Sequence, residues 1–215
     1  MSYVVGLDVG HRTVPAADSW IHIAVATLGR EPSLIACTHL TARPFPHVIV
    51  TLSGPTPPEV VAQRLRPYLR HCPSRSFSPG EIRSLSPDTV GTVGNPLRVD
   101  TASRPADTEA ELAAQDHILR RYGRAVIYPG ADRLTGTMRV EEVLAESAIE
   151  RITVFDGAPP GAVDPPGDAK IDTRGHVRPQ WSRGLLTLLV IPAADGLLVP
   201  YEGPPPQAGQ GVSRW

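Results

Sequence analysis

The chain has 215 residues, 41% of them hydrophobic, and a net charge of −1. That is enough apolar material for a core of ordinary domain size, and too balanced a charge to draw an anionic partner through a whole-protein field. The 24 prolines and 19 glycines predict many ordered turns, at a share below that of disordered low-complexity chains.

In chain order, residues 3–9 ("YVVGLDV") are rich in β-branched side chains and predict a strand. Residues 20–28 ("WIHIAVATL") alternate and predict a second, and residues 33–40 a third, with "GREP" as the hairpin turn between them. "TPPE" announces a helix, with Thr56 as N-cap and Glu59 closing a capping box. Val61, Leu65 and Leu69 then recur at helical spacing. Pro67 is expected to kink or fray the last turn. Residues 72–96 are Ser/Pro/Gly-rich without periodicity and predict a surface loop.

A strand is expected at residues 97–100 and a helix from the capping box Thr108/Glu111, with Leu112, Gln115, Leu119 and Tyr122 on one face and Gly123 as the stop. "AVIYPG" predicts a strand, residues 138–148 a helix with Val140, Val143 and Leu144 inward, and residues 151–155 another strand. The organisation expected is an α/β domain over residues 1–156 and a Pro/Gly-rich linker over 157–170. A small antiparallel β appendage follows over 171–203, turning at "PAADG", and then a flexible tail over 204–215.

Several chemistries are excluded by residue type. Lys170 is the only lysine, so neither "TVGTVGNP" nor "PGADRLTGT" is a P-loop, which needs a lysine after its glycines. A Schiff-base enzyme would have to use that one lysine, beside a Pro/Gly-rich stretch. There is no GxSxG elbow. Cys37 and Cys72, without CxxC spacing, predict two free thiols in a reducing cytoplasm. Asp8, His11 and Arg12 interrupt any signal-like start, and Pro192, Asp195 and Gly196 break the longest apolar run, so a cytoplasmic protein without a membrane span is expected.

The chemistry-bearing candidates are two aspartates. Asp8 in "GLDVG" and Asp100 in "LRVD" each end a predicted strand, the edge at which open α/β sheets bind ligands. Were the strands parallel neighbours, the carboxylates would converge, and two close anions persist when Mg²⁺ or Mn²⁺ bridges them. Alternatively, an aspartate two residues before a glycine at a strand end is a turn residue held by local hydrogen bonds. His22, His39, His47, His71 and His117 show no metal-ligand spacing and read as structural or surface residues. His176 has Asp172, Arg174 and Trp181 close in sequence. Arg64, Arg66, Arg70, Arg120, Arg121 and Arg124 would either line a phosphate backbone or form the wet faces of helices.

The order of elements, with "YVVGLDVG" first and "LRVDTAS" later, followed by a helix, "AVIYPG" and a further helix, resembles the ribonuclease H-like superfamily. Within it, the pattern is most similar to the nuclease domain of phage large terminases and prophage terminase-like proteins, over roughly the first 155 residues. That resemblance implies a mixed sheet with flanking helices and a metal-dependent nuclease acting on nucleic-acid phosphodiesters, with Asp8 and Asp100 holding the metal and carrying catalysis. The family's third acidic cluster has no match, and Asp156 and Asp172 are the substitutes on offer. The alternative expectation is therefore a non-catalytic scaffold that binds a partner, protein or nucleic acid, through its β appendage and Pro-rich tail.

Overall fold

The computed structural model describes residues 3–42, 45–69, 82–85, 105–155 and 163–202. Strand β1, Tyr3–His11, is followed directly by helix α1, Val14–Leu28. Here the structure corrects the sequence reading, since residues 20–28 are helical. The residues that α1 buries are Ala17, Trp20, Ile21, Ala24, Val25 and Leu28, a stripe at i, i+3, i+4, i+7, i+8 and i+11. Thr13 stands at the N-cap with Pro15 in the first turn, and Gly29 ends the helix at φ 91, a conformation glycine adopts without strain. Arg64 then donates through Nη1 to the Leu28 carbonyl at 2.6 Å, satisfying one of the acceptors that a helix C-terminus leaves open.

Strands β2, Ile35–Thr41, and β3, His47–Gly54, lead to helix α2, Pro58–Leu69, and then β4, Ile82–Leu85. The predicted stripe of α2 is confirmed, with Val61, Leu65 and Leu69 all buried. The loop expected over residues 72–96 contains β4; its other residues, and the strand expected at 97–100, lie outside the described residues. Helix α3, Pro105–Ile118, precedes β5, Arg124–Ile127. Then come β6, Thr137–Arg139, helix α4, Val140–Glu146, and β7, Arg151–Val154. Strands β8, Lys170–Asp172, β9, Gln180–Ser182, β10, Leu185–Pro192, and β11, Leu198–Pro200, complete the order, with a short 3-10 turn at Ala194–Gly196.

The described strands form one mixed, mostly antiparallel sheet in the order β4-β1-β3-β2-β5-β9-β10-β11-β8-β6, with β7 parallel to β10. Strand β3 is antiparallel to both β1 and β2, and β4 is antiparallel to β1. The first six elements are thus β-α-β-β-α-β with strand order 4-1-3-2, the split β-α-β (ferredoxin-like) pattern. It differs from three consecutive paired strands because α1 carries the chain across before β2. The carboxy-terminal strands continue the same sheet, β9 meeting β5 at the Arg124–Gln180 pair. Strands β9 and β11 occupy successive halves of one edge of β10, and β7 the other edge.

Helices α1 and α2 cover one face, where Val5, Leu7, Val9, Val48, Val50 and Leu52 pack with Trp20, Ile21, Val61 and Leu65. Helix α3 covers the other, with Ala110 and Ala113 on Ile49. A Cβ on Gly6 would lie 2.2 Å from the Ala110 carbonyl oxygen, so β1 and α3 touch through bare backbone. Close approach also explains which face of α3 is buried. Glu109, Ala110, Ala113, Ala114, Asp116 and His117 face inward, while Leu119 just beyond the helix is 42% exposed. The face predicted from Leu112, Gln115 and Leu119 is therefore rotated away from the observed one. A second core joins Tyr128, Val140, Val143, Ile152, Ile171, Trp181, Leu186 and Leu188 beneath α4 and β10.

Candidate functional site

Asp8 lies near the end of β1, where the register against β3 shifts between Leu7 and His11. Its Oδ1 accepts from the Gly10 backbone N–H at 3.0 Å, and Gly10 has φ 71. One oxygen of Asp8 therefore holds a glycine-dependent turn at a bulge. The other, Oδ2, accepts from His47 Nε2 at 3.1 Å, while His47 Nδ1 donates to the Phe45 carbonyl at 2.7 Å. Both ring nitrogens face oxygen acceptors, an arrangement that favours the protonated ring. Burial works against that charge, but the hydrogen bonds to Asp8 and Phe45 and the nearby Glu109 raise the His47 pKa above its ordinary value. Glu109 itself accepts from Thr41 at 2.5 Å, and Thr41 stands opposite His47 in the β2–β3 register.

Asp100, the other expected metal ligand, lies outside the described residues, as does Asp156. Asp172 sits on β8, at the far end of the strand order from β1, where its Oδ1 accepts from the Arg174 N–H; it is no substitute beside Asp8. Among the described residues, no group of three or more His, Cys, Asp or Glu side chains is placed to hold a metal ion. The side chain that Asp8 faces is His47.

The histidines fall into distinct settings. His39 and His117 are buried and linked through Thr51, whose Oγ1 is 2.9 Å from His39 Nε2 and 2.7 Å from His117 Nδ1. His39 Nδ1 is buried without a partner. An orphaned lone pair is tolerated better than an orphaned N–H, which puts the His39 proton on Nε2. His39 then donates to Thr51, and the Thr51 hydroxyl donates to His117. Burial holds both rings neutral, lowering His39 to about 3 and His117 to about 4. His22 and His176 are exposed.

Of the arginines expected on helix faces, Arg64 caps α1 as above. Arg120 lies 4.9 Å over the Trp181 ring, and Arg121 pairs with Asp116 at 3.0 Å. Arg124 is the centre of a different arrangement. Its side chain is 4% exposed and donates through Nη1 to Asp18 of α1 and through Nη2 to Glu202, at 2.7 Å. His176 Nε2 donates to the same Glu202 oxygen at 2.7 Å. Arg178 Nε lies 3.6 Å from Asp18 Oδ2, buried but without a hydrogen-bond partner. Glu202 is held below the ordinary carboxylate range; burial opposes this, and Arg124 and His176 outweigh it.

These charges line a cleft of about 380 Å³, one wall of which is the outer face of α1 at Asp18, Ser19 and His22. The volume lies in the range of small-molecule sites. Asp18, Arg124, Arg178 and Glu202 carry no spacing that sequence reasoning detects, because each comes from a different segment. Asp18 was further hidden by the strand expected at residues 20–28.

No family model, no curated protein and no solved structure matches this chain. Among the described residues no helix is long and apolar enough to cross a membrane.

Proposed function

We propose that the protein is a small-molecule-binding module whose ligand seat is the polar cleft between α1 and the carboxy-terminal strands. The observation that carries this is the convergence of Asp18, Arg124, Arg178, His176 and Glu202, from four segments, on one cleft of about 380 Å³. Desolvating so many charges costs free energy unless they are mutually paired, and convergent polar groups are what fix a ligand's orientation in a cleft of this size. Binding is favoured over hydrolysis because both oxygens of Asp8, the carboxylate expected to do chemistry, are engaged, one by the Gly10 N–H and one by His47.

A thermal-shift screen of small polar metabolites tests this. Some compound is expected to raise the melting temperature of the wild type and not that of His176→Ala, whose side chain is half exposed and separable from the core. Stabilisation that is unchanged in that variant, or absent throughout the screen, contradicts it.

The second function is a metal-dependent nuclease of ribonuclease H-like ancestry, with Asp8 and Asp100 as ligands for Mg²⁺ or Mn²⁺ and nucleic acid as substrate. What favours it is that Asp8 bonds His47 while Glu109 accepts from Thr41, which stands opposite His47 in the β2–β3 register, so two carboxylates approach one strand pair. The split β-α-β order of the sheet departs from the topology the resemblance implies. A rise in melting temperature with millimolar Mg²⁺ or Mn²⁺ that Asp8→Asn abolishes would support it; no rise at millimolar metal would support a non-catalytic protein.

A further inference from the structure

We propose that Glu202 is a tethered occupant of the cleft: its carboxylate fills the position in which a ligand carboxylate is held, and the ligand binds by displacing it. This rests on the cleft being the ligand seat. A single oxygen, Glu202 Oε1, receives two donors from separate segments, Arg124 Nη2 and His176 Nε2, each at 2.7 Å. Two cationic or polar donors converging on one oxygen is the arrangement that recognises carboxylates and other oxyanions. The opposite arm of Arg124 is taken by Asp18, so the arm facing Glu202 is the one a ligand can use.

The partners differ in how firmly they are held. Arg124 is 4% exposed and Asp18 13%, whereas the Glu202 side chain is 43% exposed. Glu202 also lies beyond the last strand, β11, and the final backbone hydrogen bond before it is from Tyr201 N–H to the Leu189 carbonyl, at 2.8 Å. Of the Arg124–Glu202 pair, the acid is thus the removable member.

Charge fixes the class of ligand. With Glu202 swung out, Arg124 and Arg178 face Asp18 alone, leaving one net positive charge on the floor of the cleft. An ammonium is disfavoured there and a carboxylate favoured. Because Glu202 is itself a carboxylate on a short aliphatic arm, the best-matched ligands are small aliphatic mono- and dicarboxylates. The tethered acid competes as an intramolecular ligand, so its effective concentration weakens the apparent affinity for any free one.

Isothermal titration of succinate, glutarate and inorganic phosphate into the full chain and into Glu202→Gln tests this. The glutamine keeps the shape and an acceptor for Arg124 while removing the competing charge, and its melting temperature serves as the check on folding. Succinate or glutarate is expected to bind Glu202→Gln about tenfold more tightly or better, equivalent to displacing one charge-assisted hydrogen bond. His176→Ala added to that background is expected to weaken binding again. Equal or weaker binding to Glu202→Gln, with the wild type binding, overturns the tethered-occupant proposal and leaves the cleft as a ligand seat. Phosphate preferred over both carboxylates overturns the ligand class. No binding of any probe to either protein overturns the proposal, and the small-molecule function is then decided separately by the metabolite screen.

Discussion

Arg124 donates through Nη1 to both carboxylate oxygens of Asp18, at 2.9 and 3.0 Å. This contact ties β5 to α1, and both partners are largely out of water, at 4% and 13% exposure. Removing one member of a buried pair leaves the other charge uncompensated. Asp18→Ala is expected to lower the unfolding free energy by about 3 kcal/mol, the lower end for a buried pair, since Glu202 still faces the guanidinium. Urea denaturation measures it. A loss below about 1 kcal/mol, the ceiling for exposed pairs, would place the contact in solvent.

Gly6 is the point of closest approach between sheet and α3. A methyl there would meet the Ala110 carbonyl oxygen at 2.2 Å, a backbone atom that moves only if the helix does. Gly6→Ala is expected to destabilise the fold by about 1–3 kcal/mol, as for overpacked cores. Gly54→Ala is the control, because its nearest neighbour is Leu34 Cα at 4.0 Å, and it is expected to be near neutral. Equal melting temperatures for the two variants would contradict the packing described.

The buried histidines give stability a particular pH profile. His39 and His117 are neutral in the fold, at about 3 and about 4 against the ordinary 6.5. Below 6.5 the unfolded chain takes up protons that the folded chain refuses. Stability is therefore expected to fall as pH drops from 6.5 toward those values, by about 1.4 kcal/mol per unit for each ring. His47 acts in the opposite sense. Its pKa is raised, so its contribution is complete below 6.5 and is lost as pH rises through the folded value. Denaturant titrations at a series of pH values should find the maximum near or somewhat above 6.5. A profile flat from 6.5 down to 5 would show that His39 and His117 are not buried as described.

Legibility followed the strength of local signals. The α2 stripe of Val61, Leu65 and Leu69 was readable because polar residues separate its apolar positions. In α1 the same periodicity is present, but Trp20, Ile21, Ile23, Val25 and Leu28 also suit a strand, and such a strand excludes Thr13 and Asp18. Strand β3, "HVIVTLSG", is central and covered on both faces. It shows no alternation to mark a face, as expected of a doubly buried strand. The face of α3 differs from the one its leucines suggest because close backbone contact with Gly6 turns Ala110 and Ala114 inward. Asp8 was legible as a polar strand end, and the turn explanation weighed for it matches what its Oδ1 does. The cleft was not legible, because charges from four segments meet only after folding.

The measurement that bears most directly on the cleft as a carboxylate seat is a ¹H–¹⁵N correlation spectrum of the full chain titrated with succinate and glutarate. Saturable shift changes are expected, centred on Ser19, His22, Arg124, His176 and Glu202, with Gly10 and His47 unmoved. Changes confined to Gly10 and His47, or none at any concentration, would contradict carboxylate binding in the cleft.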